Sequence, residues 1–245
     1  MATEDDAQNP FTRRGFIAAA LVIALIVVLG VVIAIVNATR ADDTAATPTT
    51  APTTTSAAAT TSATQAAGGA SVCGLAGEEL SGTITTAPEA VWEYQGTIGY
   101  PTSELYGPGE TADGARYCFQ RSPAGALFMA ANAIAQGSDP ATSSTWAQRA
   151  LAEGPYREQL LTDVGAGSSD GTRLRVAGFR VLDYDGDSAR IDLGVVGSAS
   201  GQNVTLSGVY ELVWQVGDWK ISADVPAPLD MATIPDLAGY ITWGE

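Results

Sequence analysis

The chain has 245 residues, of which 27 are acidic, 12 are basic and none is histidine. The formal net charge of −15 repels nucleic acid phosphates, so we expect no nucleic acid partner. The missing histidines remove the usual general base at neutral pH and the commonest metal ligand. We therefore expect no catalytic residues, no metal site and no cofactor.

The first predicted element is an apolar run of 22 residues, 15–36, which directly follows Arg13 and Arg14. As a helix this run would be about 33 Å long, so it predicts one transmembrane helix. The two arginines predict a cytoplasmic N-terminus and place the rest of the chain outside the cell membrane. A cleaved signal peptide is the alternative, although its apolar region is normally shorter, at about 7 to 15 residues.

The chain is thus predicted to have four parts: a cytoplasmic tail (1–14), the transmembrane helix (15–36), a linker (37–70) and an extracytoplasmic domain (71–245). The linker is rich in alanine, threonine and proline, so it has little to bury and is predicted to be disordered. The remaining ~175 residues are enough for one domain with a substantial core.

Cys73 and Cys118 both lie beyond the apolar run. An even pair of cysteines in an oxidising compartment is typical of one disulfide bond. Two free thiols or a metal pair are the alternatives, but the sequence has no CxxC spacing. The bond would close residues 71–120 into a largely irregular region with short strands.

Four tyrosines lie in this region among glycine and proline residues: Tyr94, Tyr100, Tyr106 and Tyr117. Loops that carry aromatic side chains are frequent recognition surfaces. We therefore take these tyrosines as the candidate interaction surface.

Residues 121–225 change from a helical period to a strand period. Ser122-Pro123 is typical of a helix start, and Asp185-Gly186 is typical of a hairpin turn. The pattern predicts helices over 123–136, 145–153 and 155–164, then strands over 174–184, 189–196, 204–215 and 219–223. The predicted fold class is α+β, with three helices packed on a curved four-stranded antiparallel sheet and a C-terminal tail at 226–245.

Three segments of this core, GFRVL (178–182), YELVW (210–214) and GDWKI (217–221), resemble the closing strands of nuclear transport factor 2-like cone domains. A cone domain behind one membrane helix and a linker is similar to the bitopic scaffold subunits of type IV secretion and conjugation systems. The segments CGL (73–75), YC (117–118) and SPAGAL (122–127) resemble membrane proteins carried by actinobacterial conjugative elements.

This resemblance implies a non-enzymatic, membrane-anchored scaffold subunit that contacts other subunits of a membrane complex and self-associates. One alternative is an envelope accessory protein of a lipid-import or cell-wall complex. Another is a small-molecule binder or an enzyme with a pocket in the cone. An open apolar cavity with a buried acidic residue would support this last alternative, whereas a cone filled by large side chains would remove it.

Overall fold

The computed structural model describes residues 71–166, 173–199 and 202–244. The predicted tail, transmembrane helix and linker lie outside these ranges. Within them, no helix is long and apolar enough to cross a membrane. The transmembrane helix included in the predicted fold class is therefore not part of the described fold.

The three predicted helices are present as α1 (Pro123–Gly137), α2 (Ser143–Ala150) and α3 (Arg157–Ala166). α1 begins where the sequence predicts because Ser122 caps it, with its Oγ accepting a hydrogen bond from the Gly125 amide at 3.0 Å. Nearly all residues of α1 are buried, so it is a central helix of the core.

The prediction of a four-stranded sheet is wrong, because the main antiparallel sheet has six strands. Four of them run in order along the sheet, and two short strands from the C-terminal segment join it. β10 pairs with β5 at one edge, while β9 and β8 both pair with β7. The strands are β5 (Arg173–Tyr184), β6 (Ser188–Ala199), β7 (Gln202–Gln215), β8 (Asp218–Ile221), β9 (Leu229–Thr233) and β10 (Ile241–Thr242).

Residues 71–120 form two small hairpins that the predicted cone-like plan does not contain. β1 (Val91–Gln95) pairs with β2 (Ile98–Thr102), and β3 (Glu110–Ala112) pairs with β4 (Ala115–Tyr117). The second hairpin turns at Asp113-Gly114, where both residues have positive φ. The described fold is α+β, with three helices, one six-stranded sheet and two two-stranded sheets.

The two faces of the six-stranded sheet are covered differently. Ile191, Leu193 and other residues on one face are buried in the same core cluster as α1. On the opposite face Gly194 has no side chain, and a Cβ there would lie 2.4 Å from Leu237. The segment between β9 and β10 therefore packs directly on this strand.

Candidate functional site

An apolar cavity of about 400 Å³ lies between the helices and the inner face of the six-stranded sheet. The helices contribute Ile134, Trp146 and Leu160 to its walls. The sheet contributes Val195 and Ile221, and the segment around β9 closes one side. The walls are therefore built from the same elements that form the core.

The cavity exists because several positions that face it have small side chains. Ala133 and Gly137 lie on α1, and Gly208 lies on β7 opposite Leu193. A Cβ at Gly208 would lie 3.0 Å from the Met231 Sδ, so any larger residue would enter the cavity. A strand normally places a side chain at this position, and the glycine instead lets the Met231 side chain approach β7 closely.

β9 forms the rim where the cavity reaches the protein surface. Leu229 and Met231 both line the cavity, yet they are 38% and 46% exposed. They face the same side of the sheet as Tyr210 and Gly208, with which they pair. A ligand would enter past these two side chains.

Tyr210 is the one ionisable side chain among the described residues that line the cavity. Its hydroxyl forms no hydrogen bond with any residue that the structure describes. Burial raises the pKa of Tyr210 above its usual value, so the phenol stays protonated at neutral pH. The cavity therefore offers the neutral phenol of Tyr210 as a hydrogen-bond donor in a mostly apolar surrounding, which also includes Ser138 and Trp146.

The four tyrosines of the predicted interaction surface lie in different environments. Tyr94 is exposed on β1, whereas the ring of Tyr106 packs against Phe128 with centroids 5.4 Å apart. The Arg149 guanidinium lies 4.2 Å from the ring centroid of Tyr117. These contacts give Tyr106 and Tyr117 packing roles.

Tyr100 is buried and belongs to a polar cluster between β2 and α1. The Arg116 guanidinium lies 3.6 Å from its ring centroid, and the Tyr100 hydroxyl donates to Glu93 at 2.8 Å. Burial raises the pKa of Tyr100. Arg116 in turn donates to the Asn132 side chain on α1 at 2.7 Å. Of the four tyrosines, Tyr94 alone has a largely exposed side chain, and partner binding by this region stays a prediction.

The predicted disulfide between Cys73 and Cys118 is confirmed. The amides of Cys118 and Phe119 donate to the carboxylate of Asp218 at 3.0 and 2.8 Å. Burial raises the pKa of Asp218, and the positive charge of Lys220 opposes that rise. The disulfide closes residues 71–120 and the Asp218 carboxylate joins this region to the start of β8, so their role is structural.

No group of three or more histidine, cysteine, aspartate or glutamate residues is arranged to hold a metal ion within residues 71–166, 173–199 and 202–244. In the β5–β6 turn, Asp187 forms an ion pair with Arg121, and Asp185 serves local structure. Asp185 accepts hydrogen bonds from the amides of Asp187 and Ser188. Its pKa is lowered, chiefly by the hydrogen bond from the Ser188 amide.

The fold and the site define a disulfide-braced α+β domain with an apolar cavity under its central helix. The chain belongs to the family described as "Domain of unknown function (DUF8175)", whose profile matches residues 51–242. No curated protein and no solved structure matches the chain.

Proposed function

We propose that this protein is a non-enzymatic accessory protein of the cell envelope that binds an apolar ligand in the cavity under α1. The observation that carries the proposal is the cavity of about 400 Å³ with its apolar walls. Sites for small molecules typically have about 300–1,000 Å³ and a mostly apolar lining. This proposal combines two alternatives of the sequence analysis, the envelope accessory protein of a lipid-import complex and the small-molecule binder.

Packing energetics favour an occupied cavity. Protein interiors are close-packed, and atoms that line an empty space lose dispersion contacts. Small residues such as Ala133, Gly137 and Gly208 line the cavity, although a single larger residue at any of these positions would reduce it. A ligand would restore these contacts, which gives a physical reason for the cavity to be kept.

The chemistry of the lining supports binding without catalysis. General acid–base chemistry needs positioned groups whose pKa values lie near the working pH. The lining residues include no carboxylate, and the chain has no histidine. Tyr210, whose pKa is raised by burial, holds its proton at neutral pH. The buried acidic residue that would favour an enzyme is not among the described lining residues.

An extracytoplasmic location agrees with the disulfide, since such bonds persist in oxidising compartments. The apolar run at 15–36 supplies the targeting signal in this proposal. Protease added to intact cells should cleave the domain. Cleavage only after lysis would contradict this location.

Photolabelling of the full-length chain tests ligand binding directly. The chain is reconstituted in phosphatidylcholine nanodiscs with a long-chain hydrocarbon that carries a diazirine, and the labelled residues are mapped by mass spectrometry. We expect labels on α1, β7 and β9. Gly208→Val fills the cavity and should reduce these labels strongly.

Ala232→Val is the matched control for this experiment. Ala232 pairs with Ser207, so it lies on the opposite face of the sheet from Gly208. It adds two methyl groups outside the cavity and should label like the wild type. Equal labelling of wild type and Gly208→Val, with the fold of both intact, would refute the proposal.

A second candidate function is the scaffold subunit of a conjugation or secretion apparatus. The observation that favours it is the exposure of large apolar side chains in residues 71–120, with Val91 66% and Tyr94 60% exposed. Exposed apolar residues are frequent at protein interfaces. A photo-crosslinking amino acid at position 94 should capture another subunit, and deletion of the gene should lower conjugation frequency. An unchanged frequency would exclude this role.

A further inference from the structure

The hydroxyl of Tyr210 lacks a partner within the part of the chain that the structure describes, and it belongs to a residue of the cavity wall. A tyrosine hydroxyl that faces a cavity and has no protein partner can donate to an atom that occupies the cavity. The surrounding lining is apolar, with Ile134, Leu160 and Leu229 among its members. A ligand atom is the partner that this arrangement leaves room for.

The charge of the site selects against an ionised ligand. None of the described lining residues is lysine, arginine, aspartate or glutamate. An ion inside the cavity would therefore be desolvated without a counter-charge, which is strongly unfavourable. Residues 71–245 also contain 22 acidic and 9 basic residues, so the surface of the domain repels anions.

Tyr210 is placed where it can meet a ligand that enters at the rim. It pairs with Ile191 on β6 and with Leu229 on β9, so its position on β7 lies between the buried strand β6 and the exposed strand β9. Gly208, two residues earlier on the same face, lines the same cavity and adds no side chain to it. An apolar chain can fill the cavity while one polar atom contacts the phenol.

We propose that the ligand is a neutral, predominantly hydrocarbon molecule whose buried part carries one hydrogen-bond acceptor, a carbonyl or hydroxyl oxygen, and that Tyr210 donates to this oxygen. Tyr210 is then a residue that determines ligand specificity. This inference rests on the proposed binding function and adds the chemical class of the ligand. It predicts that neutral ketones, esters and alcohols bind better than hydrocarbons and fatty acid anions of the same length.

Three diazirine probes of equal chain length test the inference on the full-length chain in phosphatidylcholine nanodiscs: a long-chain ketone, the matching hydrocarbon and the matching carboxylate. We expect the ketone to label the cavity residues most strongly in the wild type. Tyr210→Phe removes the hydroxyl and keeps the ring. It should reduce ketone labelling about 2- to 10-fold, as expected for one hydrogen bond.

Hydrocarbon labelling serves as the internal control, since it should be the same in Tyr210→Phe and in the wild type if the cavity is intact. Tyr156→Phe is a matched variant, because Tyr156 is half-buried and is not among the lining residues. It should leave the labelling by all three probes unchanged.

The outcomes separate the two proposals. If no probe labels the cavity residues, the binding function itself is wrong. If the hydrocarbon labels them but ketone labelling is unaffected by Tyr210→Phe, binding stands and the ligand class proposed here is wrong. Stronger labelling by the carboxylate than by the ketone would also overturn the ligand class.

Discussion

Trp243 connects the C-terminal segment to the core, so its replacement tests the described fold most directly. Its side chain is buried, and its ring centroid lies 5.1 Å from Trp92, 5.3 Å from Phe128 and 5.7 Å from Phe179. Its indole N–H donates to the Pro88 carbonyl at 3.0 Å. One residue thus joins the first hairpin, the central helix and the six-stranded sheet.

Trp243→Ala should lower the free energy of unfolding by about 4 kcal/mol, because truncating a buried aromatic residue in a core typically costs about 3–5 kcal/mol. For a domain of this size the melting temperature should fall by about 8–16 °C, at about 2–4 °C per kcal/mol. Thermal unfolding followed by near-UV circular dichroism measures this change, since the signal depends on aromatic packing.

Two variants control for the size and the location of this change. Trp243→Phe keeps an aromatic ring and loses the hydrogen bond to Pro88, so it should cost clearly less than Trp243→Ala. Thr242→Ala changes an exposed neighbour and should have little effect. A loss below about 1 kcal/mol in Trp243→Ala would show that the C-terminal segment does not pack in the core.

Three further predictions concern stability. Replacing Cys73 and Cys118 by alanine should lower the free energy of unfolding by about 4 kcal/mol, since the bond spans 45 residues; reductant should lower the wild type equally and leave the variant unchanged. Asp192 is fully buried and bonded to three polar side chains, so Asp192→Ala should cost about 2–4 kcal/mol in urea unfolding, and a neutral effect would contradict that network. The lowered pKa of Asp185 means that its stabilising effect is present above the unfolded pKa of about 3.9 and is lost as pH falls through the folded value, so Asp185→Ala should be less stable than the wild type at neutral pH and should approach it in acid.

The parts of the fold that the sequence predicted well depend on local interactions. The start of α1 was predicted from Ser122-Pro123, and the cap hydrogen bond is present. The turn between β5 and β6 was predicted from Asp185-Gly186, and Gly186 has the positive φ that such a turn needs. In both places the residues that specify the structure are adjacent in sequence, so inspection of a short window is sufficient.

The errors in the predicted sheet arise from pairing over long distances. β9 and β10 contain five and two residues, too few for a clear alternating pattern. β9 pairs with β7 and β10 pairs with β5, and both become strands through these partners. Such contacts are specified by the tertiary structure, which propensity within a short window does not report.

The cavity could not be predicted from the sequence for a different reason. Alanine favours helices, and glycine is common at helix ends. The presence of Ala133 and Gly137 on α1 is therefore explained locally and does not indicate a cavity. Gly208 is the exception, since a glycine inside a strand loses packing and marks a close approach or an open space. The void follows from the sum of these small side chains on elements that are distant in sequence but face each other. In the sequence, Tyr210 has the pattern of an ordinary strand residue. It becomes a candidate specificity residue only because the tertiary structure places it in the wall of the apolar cavity.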